Sequence, residues 1–185
     1  RPLQGYRNKE DRKAVQYRIG HTSLALLSNE GSVIYPSENW TFLEGLNRRR
    51  GDAAFLVVFV PNMPSLGEQE VLGSQWEGFH NIMREQRVSL VIAGGLSSKA
   101  ANYERTVINQ VQYVRISHVF AAKEPSLSMG LREEGGLFTS ELLNYLVLNL
   151  KRGKGIQRGH SLEGALFDEQ SLNRRSKRPL GASQG

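Results

Sequence analysis

The sequence predicts an α/β fold: a three-layer α/β/α sandwich built on a mainly parallel sheet. Strand-like and helix-like segments alternate from Ala14 to Leu150, which is the pattern of crossover connections between parallel strands. The run Ala53-Ala54-Phe55-Leu56-Val57-Val58-Phe59-Val60 is apolar throughout, as suits a strand covered on both faces. The length, 185 residues, is enough for one ordinary domain with extensions.

Residues 1–13 are polar and charged and read as a basic N-terminal arm. Val15, Tyr17 and Ile19 alternate in period two, and Leu24-Ala25-Leu26-Leu27 follows, so residues 14–27 read as one or two strands with a turn at Gly20. Asn29-Glu30-Gly31 is a turn, and Ser32–Tyr35 a short strand. Ser37 caps a helix with Trp40, Leu43 and Leu46 on one face. Arg48, Arg49, Arg50 and Gly51 end it.

After the apolar strand, Pro61-Asn62-Met63-Pro64 breaks the pattern. Trp76, Phe79, Ile82 and Met83 predict a helix over roughly 75–86, and Val88–Ala93 a strand ending at Gly94-Gly95. A helix is expected over 98–111, then a strand over 114–121 and a polar loop over 123–136. Leu142, Leu143, Leu146, Val147 and Leu150 form an apolar stripe and predict a helix over 139–150. Residues 151–185 read as a basic, largely flexible tail with one apolar island, Leu162–Phe167.

Net charge is +6, and it is uneven. Residues 1–18 carry six Lys/Arg and two acids, residues 151–185 eight and three, and the middle ten and thirteen. The basicity therefore lies at the two ends. Arg174, Arg175, Lys177 and Arg178 are candidates for binding nucleic acid or an acidic partner. Tyr6 and Tyr17 are the only aromatic residues interleaving the basic clusters, which argues against a stacking surface for single strands there.

The chain has no cysteine, which excludes disulfides, thiolate zinc sites and a cysteine nucleophile. His21, His80, His118 and His160 stand far apart, so no metal site is expected. No run approaches a membrane span, and Arg1-Pro2-Leu3-Gln4-Gly5 has no apolar signal core. The expected location is intracellular, cytoplasmic or nuclear. Gly94-Gly95-Leu96-Ser97-Ser98-Lys99 lacks the P-loop spacing and no G-x-G-x-x-G occurs, so no cofactor is expected.

From Pro36 to about Leu150 the order of segments resembles the caspase-like peptidases, especially metacaspases. Ser37-Glu38-Asn39 with Leu43 and Leu46, then Gly51-Asp52 and the strand to Val60, are similar to the family's early motifs. Gly136-Leu137-Phe138-Thr139-Ser140-Glu141-Leu142-Leu143-Asn144-Tyr145-Leu146 is the most specific match. The resemblance places Gly95 where the family has its catalytic cysteine and Asn62 where it has its histidine. Ala93 stands for the pocket aspartate that binds a basic substrate side chain. A thiolate and an imidazole are needed to attack and relay the proton, so the resemblance implies a catalytically inactive pseudo-peptidase.

It also implies pairing through an edge strand, here Val114, Ile116, His118 and Phe120, with a second copy or an active relative as partner. The first expectation is thus a non-catalytic interaction or regulatory scaffold. The second is a structural ribonucleoprotein component that binds RNA through basic termini. The third is an enzyme of another class using Ser97 or Ser98 with Asn62 and Lys123, against which stands the lack of a visible base.

Overall fold

The computed structural model describes residues 6–7, 14–27, 38–64, 66, 73–95, 103–117, 132–134, 136–140, 144–151, 154–161 and 164–172. Among these, β1 (Tyr6–Arg7), β2 (Ala14–Ile19) and β3 (Thr22–Leu27) precede α1 (Glu38–Glu44) and α2 (Leu46–Arg49). Then come β4 (Phe55–Val60), α3 (Ser74–Glu85), β5 (Leu90–Gly95), β6 (Tyr103–Ile108) and β7 (Val111–Ser117). The chain continues through β8 (Arg132–Glu134), β9 (Leu137–Ser140), β10 (Asn144–Lys151), β11 (Lys154–Ser161) and β12 (Leu166–Leu172). The fold is α/β.

A nine-stranded sheet has the order β1-β2-β3-β4-β5-β7-β6-β9-β8. Its centre, β3, β4, β5 and β7, is parallel, and antiparallel strands flank it on both sides. The apolar run forms β4, whose Leu56 and Val58 face the helices while Phe55 and Val57 face the opposite side. Phe42, Leu43 and Leu46 from the first two helices join Trp76, Phe79, Ile82 and Met83 of α3 to cover the first face. Periodicity explains α3: its buried residues recur at helical spacing. Arg87, with φ of 54°, turns the chain out of the helix.

Among the described residues, the opposite face is covered by a three-stranded antiparallel sheet, β10-β11-β12, rather than by helices. Three expectations therefore need correction. Within the helix expected over 98–111, residues 103–110 form β6 and a tight turn: Asn109 and Gln110 have φ of 45° and 70°, as a two-residue hairpin requires. Residues 98–102 lie outside the described residues. The helix expected over 139–150 is replaced by the end of β9 and by β10. Residues 154–172, expected as part of a flexible tail, supply β11 and β12.

The physical reason is pairing. Leu146 and Leu150 belong to the helical stripe, but with Leu148 they also alternate in period two, and every residue of β10 finds a partner in β11. Glycine then lets the two sheets approach. A Cβ at Gly155 would stand 2.8 Å from the Phe55 ring, and one at Gly159 3.4 Å from the Tyr103 ring, both across the gap between the sheets.

Candidate functional site

In a parallel sheet of this kind, ligands usually sit beyond the carboxyl ends of the strands. Val60 at the end of β4 pairs with Ala93 of β5, so the loop that follows β4 lies beside the end of β5. Met63 N donates to Gly94 O at 3.0 Å and locks the loop after β4 onto β5. A side chain at Gly94 would meet Pro61 O at 2.5 Å, so this close approach demands glycine. The structure thus brings the segments of Asn62, Ala93 and Gly95 to one edge. Asn62 is exposed and Ala93 is buried. Neither carries a group that ionises near neutral pH.

The nearest charges are structural. Glu104 of β6 pairs with Arg115 of β7 in register, and both side chains are buried. Their ion pair spans 3.5 Å. Arg115 Nε donates to Met63 O at 2.9 Å, and Leu66 N donates to Glu104 Oε2 at 2.7 Å. The pair therefore holds the loop over 61–66 from beneath. Buried ions need such additional hydrogen bonds to offset desolvation.

A second polar cluster lies between the two sheets. Tyr103 donates its hydroxyl proton to Asp168 Oδ2 at 2.6 Å, and Gln157 Nε2 donates to Tyr103 Oη at 2.6 Å. Gln112 Nε2 donates to Gln157 Oε1 at 2.7 Å, and Arg105 Nε reaches Asp168 at 3.1 Å. Burial, reinforced by the Asp168 charge, pushes the Tyr103 phenol far above its usual range. This cluster is buried and satisfied, and it works as a seam.

A third cluster lies on the helix side. His80 Nδ1 is 2.7 Å from Tyr113 Oη, and the Asn109 amide nitrogen is 3.3 Å from Nε2. Nε2 accepts from that amide, so the neutral ring carries its proton on Nδ1 and donates to Tyr113. Burial holds the His80 pKa below the ordinary histidine value, with Arg84 adding to the shift. Burial also pushes the Tyr113 phenol upward.

Val114 and Ile116 lie in β7, between β5 and β6, and Val114 is fully buried. The expectation of an edge strand there is corrected: the β6 hairpin and β9 pair beyond it. His118, Phe120, Ser97, Ser98 and Lys123 lie outside the described residues, as do Arg174, Arg175, Lys177 and Arg178. Among the described residues, no group of three or more His, Asp or Glu is placed to hold a metal ion. None of the described helices is long and apolar enough to cross a membrane.

Two surfaces escaped the sequence reading. On the face of the large sheet that carries the second sheet, β2 and β3 extend beyond its cover. There Ile19 is 54% and Leu26 38% exposed, beside half-buried Val15, Tyr17 and Leu24. The other is the outer face of β10–β11, where Tyr145 stacks on His160 at 5.3 Å. The period-two alternation of 144–151 followed by that of 154–161 is the signal that reveals it. No protein-family model matches the chain, and no curated protein matches it.

Proposed function

We propose that the chain is a non-catalytic domain on a caspase-like plan that serves as a protein-interaction scaffold. The observation that carries this reading is the uncovered apolar face of β2 and β3. Ile19 and Leu26 stand out from a strip that also includes Val15, Tyr17 and Leu24. Contiguous exposed apolar surface of this kind marks interaction sites. A second copy of the chain is the partner that requires no further surface, since a two-fold axis sets the patch against itself.

The carboxyl edge supports the non-catalytic part. The positions that the resemblance assigns to the cysteine and histidine carry neither a nucleophile nor a base: Gly95 ends β5, and Asn62 follows the neighbouring β4. The caspase-like part rests on the order of residues 36–95, since Gly136–Leu146, the most specific motif, contributes β9 and β10 instead of a helix.

Light scattering coupled to size exclusion tests the scaffold. The chain is expected to run as a dimer at low and high salt, and Ile19→Asp with Leu26→Asp as a folded monomer. A wild-type monomer at tens of micromolar would sink the self-pairing. Hydrolysis of peptides ending in Arg or Lys by the purified chain would sink the non-catalytic reading.

A further inference from the structure

The hairpin β10–β11 presents an outer face quite unlike the strip on β2 and β3. Alternation sends Tyr145, Val147, Asn149 and Lys151 of β10 outward, while Leu146, Leu148 and Leu150 pack inward. On β11 the same rule turns Lys154, Ile156, Arg158 and His160 outward, because Gly155, Gln157, Gly159 and Ser161 are buried. Register sets these residues side by side: Tyr145 opposite His160, Val147 opposite Arg158, and Lys151 opposite Lys154.

Two properties of this face point to one kind of ligand. Tyr145 and His160 form a flat stacked pair, with ring planes 9° apart, and Tyr145 keeps 41% of its surface exposed. One ring face therefore remains free beside the apolar side chain of Val147, itself 39% exposed. One strand-length away, Lys151 and Lys154 are exposed, and the two residues joining them in sequence are Arg152 and Gly153. Arg158 is held by Glu169 of β12 at 2.5 Å, so its charge is locally answered and its position fixed. Lys151 and Lys154 have no carboxylate partner across the β10–β11 ladder.

We propose that the outer face of β10–β11 binds single-stranded nucleic acid, with a base stacked on Tyr145 and the phosphates led toward Lys151 and Lys154. An aromatic platform beside cations on an open sheet face is what unpaired bases and their backbone require. An acidic protein segment would use the lysines but would gain nothing from the flat ring pair. This inference uses a different surface from the protein-interaction strip and does not rest on that reading. It also places the contact on the folded body rather than on the C-terminal basic cluster.

The test is fluorescence anisotropy of the full chain with a labelled twelve-nucleotide oligouridylate, titrated from low to moderate salt. Lys151→Glu with Lys154→Glu is expected to weaken binding at least tenfold and to reduce the salt slope by about 1.4, as loss of two single-strand phosphate contacts requires. Tyr145→Ala is expected to weaken it about 5- to 150-fold, and Tyr145→Phe to restore it, because stacking needs the ring and not the hydroxyl. All three positions are exposed, and circular dichroism verifies that each variant is folded. Substituting Arg174, Arg175, Lys177 and Arg178 with alanine is expected to leave more than half of the wild-type affinity. The proposal is overturned by absence of binding at low salt. It is equally overturned by binding that only the tail variant removes, or by equal competition from poly-glutamate, which would mark an acidic-protein site.

Discussion

The two faces of the nine-stranded sheet are closed by opposite means. On the helix side, the cover is apolar: Phe42, Leu43, Leu46, Phe79 and Met83 interlock with Leu56, Val58 and Val91. Polar groups are set into it: His80 bonds to Tyr113, the Glu104–Arg115 pair holds a loop, Arg49 Nε donates to Gln16 Oε1 of β2, and buried Arg50 donates to Arg87 O. On the other side, the second sheet meets the first through apolar side chains and through Tyr103, Arg105, Gln112, Gln157 and Asp168. Helices can shift and re-pack along an apolar face at modest cost. A flat sheet laid on a sheet can slide, and directional bonds between named pairs fix where it stops. The difference teaches that the second sheet takes its register from one connected polar cluster, while the helices are set mainly by volume, with the Arg49–Gln16 and His80–Tyr113 bonds as separate local pins.

Asp168→Ala probes that contrast most severely. It leaves the buried Arg105 charge unpaired and removes the acceptor of Tyr103, so urea denaturation is expected to lose about 3–5 kcal/mol. A loss under about 1 kcal/mol would show that the seam is filler. Leu43→Ala, on the apolar side, should cost about 2–5 kcal/mol through the cavity it opens, with the spread set by how well the helices collapse. Asp168→Asn keeps the shape and removes the charge: a cost equal to that of Asp168→Ala would show that charge rather than shape governs the seam.

Gly155→Ala comes next. Its methyl would press on the Phe55 ring and on Leu172 Cβ, and about 1–3 kcal/mol should be lost as the sheets are wedged apart. No change in the thermal midpoint would mean that the sheets stand less tightly than these contacts require. The smallest effect concerns pH. The folded-state pKa of His80 lies below its unfolded value of about 6.5. The unfolded chain therefore binds the proton more readily, and stability present above pH 6.5 is lost as pH falls below it. His80→Gln should flatten that part of the stability profile, and an unchanged profile would remove His80 from the account.

The parallel centre was legible because each of its elements carries its own signal. The β4 run is apolar on both faces, and α3 repeats its large residues at helical spacing. The flanks were not, because their signal is shared with a partner. Tyr103–Ile108 becomes a strand only against Val111–Ser117, and Leu146, Val147 and Leu150 fit a helical stripe until β11, set beside them, selects the alternation of Leu146, Leu148 and Leu150. Asn62, Ala93 and Gly95 were found at one edge because parallel neighbours end together. The Tyr145–His160 platform was missed because it exists only after β10 and β11 pair. The seam escaped for the same reason: Tyr103 and Asp168 are 65 residues apart in sequence.

Gly155 touches both Phe55 and Leu172, and that contact sets a timetable for synthesis. A ribosome adding about 5–20 residues per second needs roughly 6–25 s to travel from the first of these partners to the last. Throughout that interval Phe55 and Val57 have been made but their cover has not. The emerging chain must carry half of its largest sheet bare, and a nascent-chain chaperone would find its binding site there, on a surface the finished molecule hides.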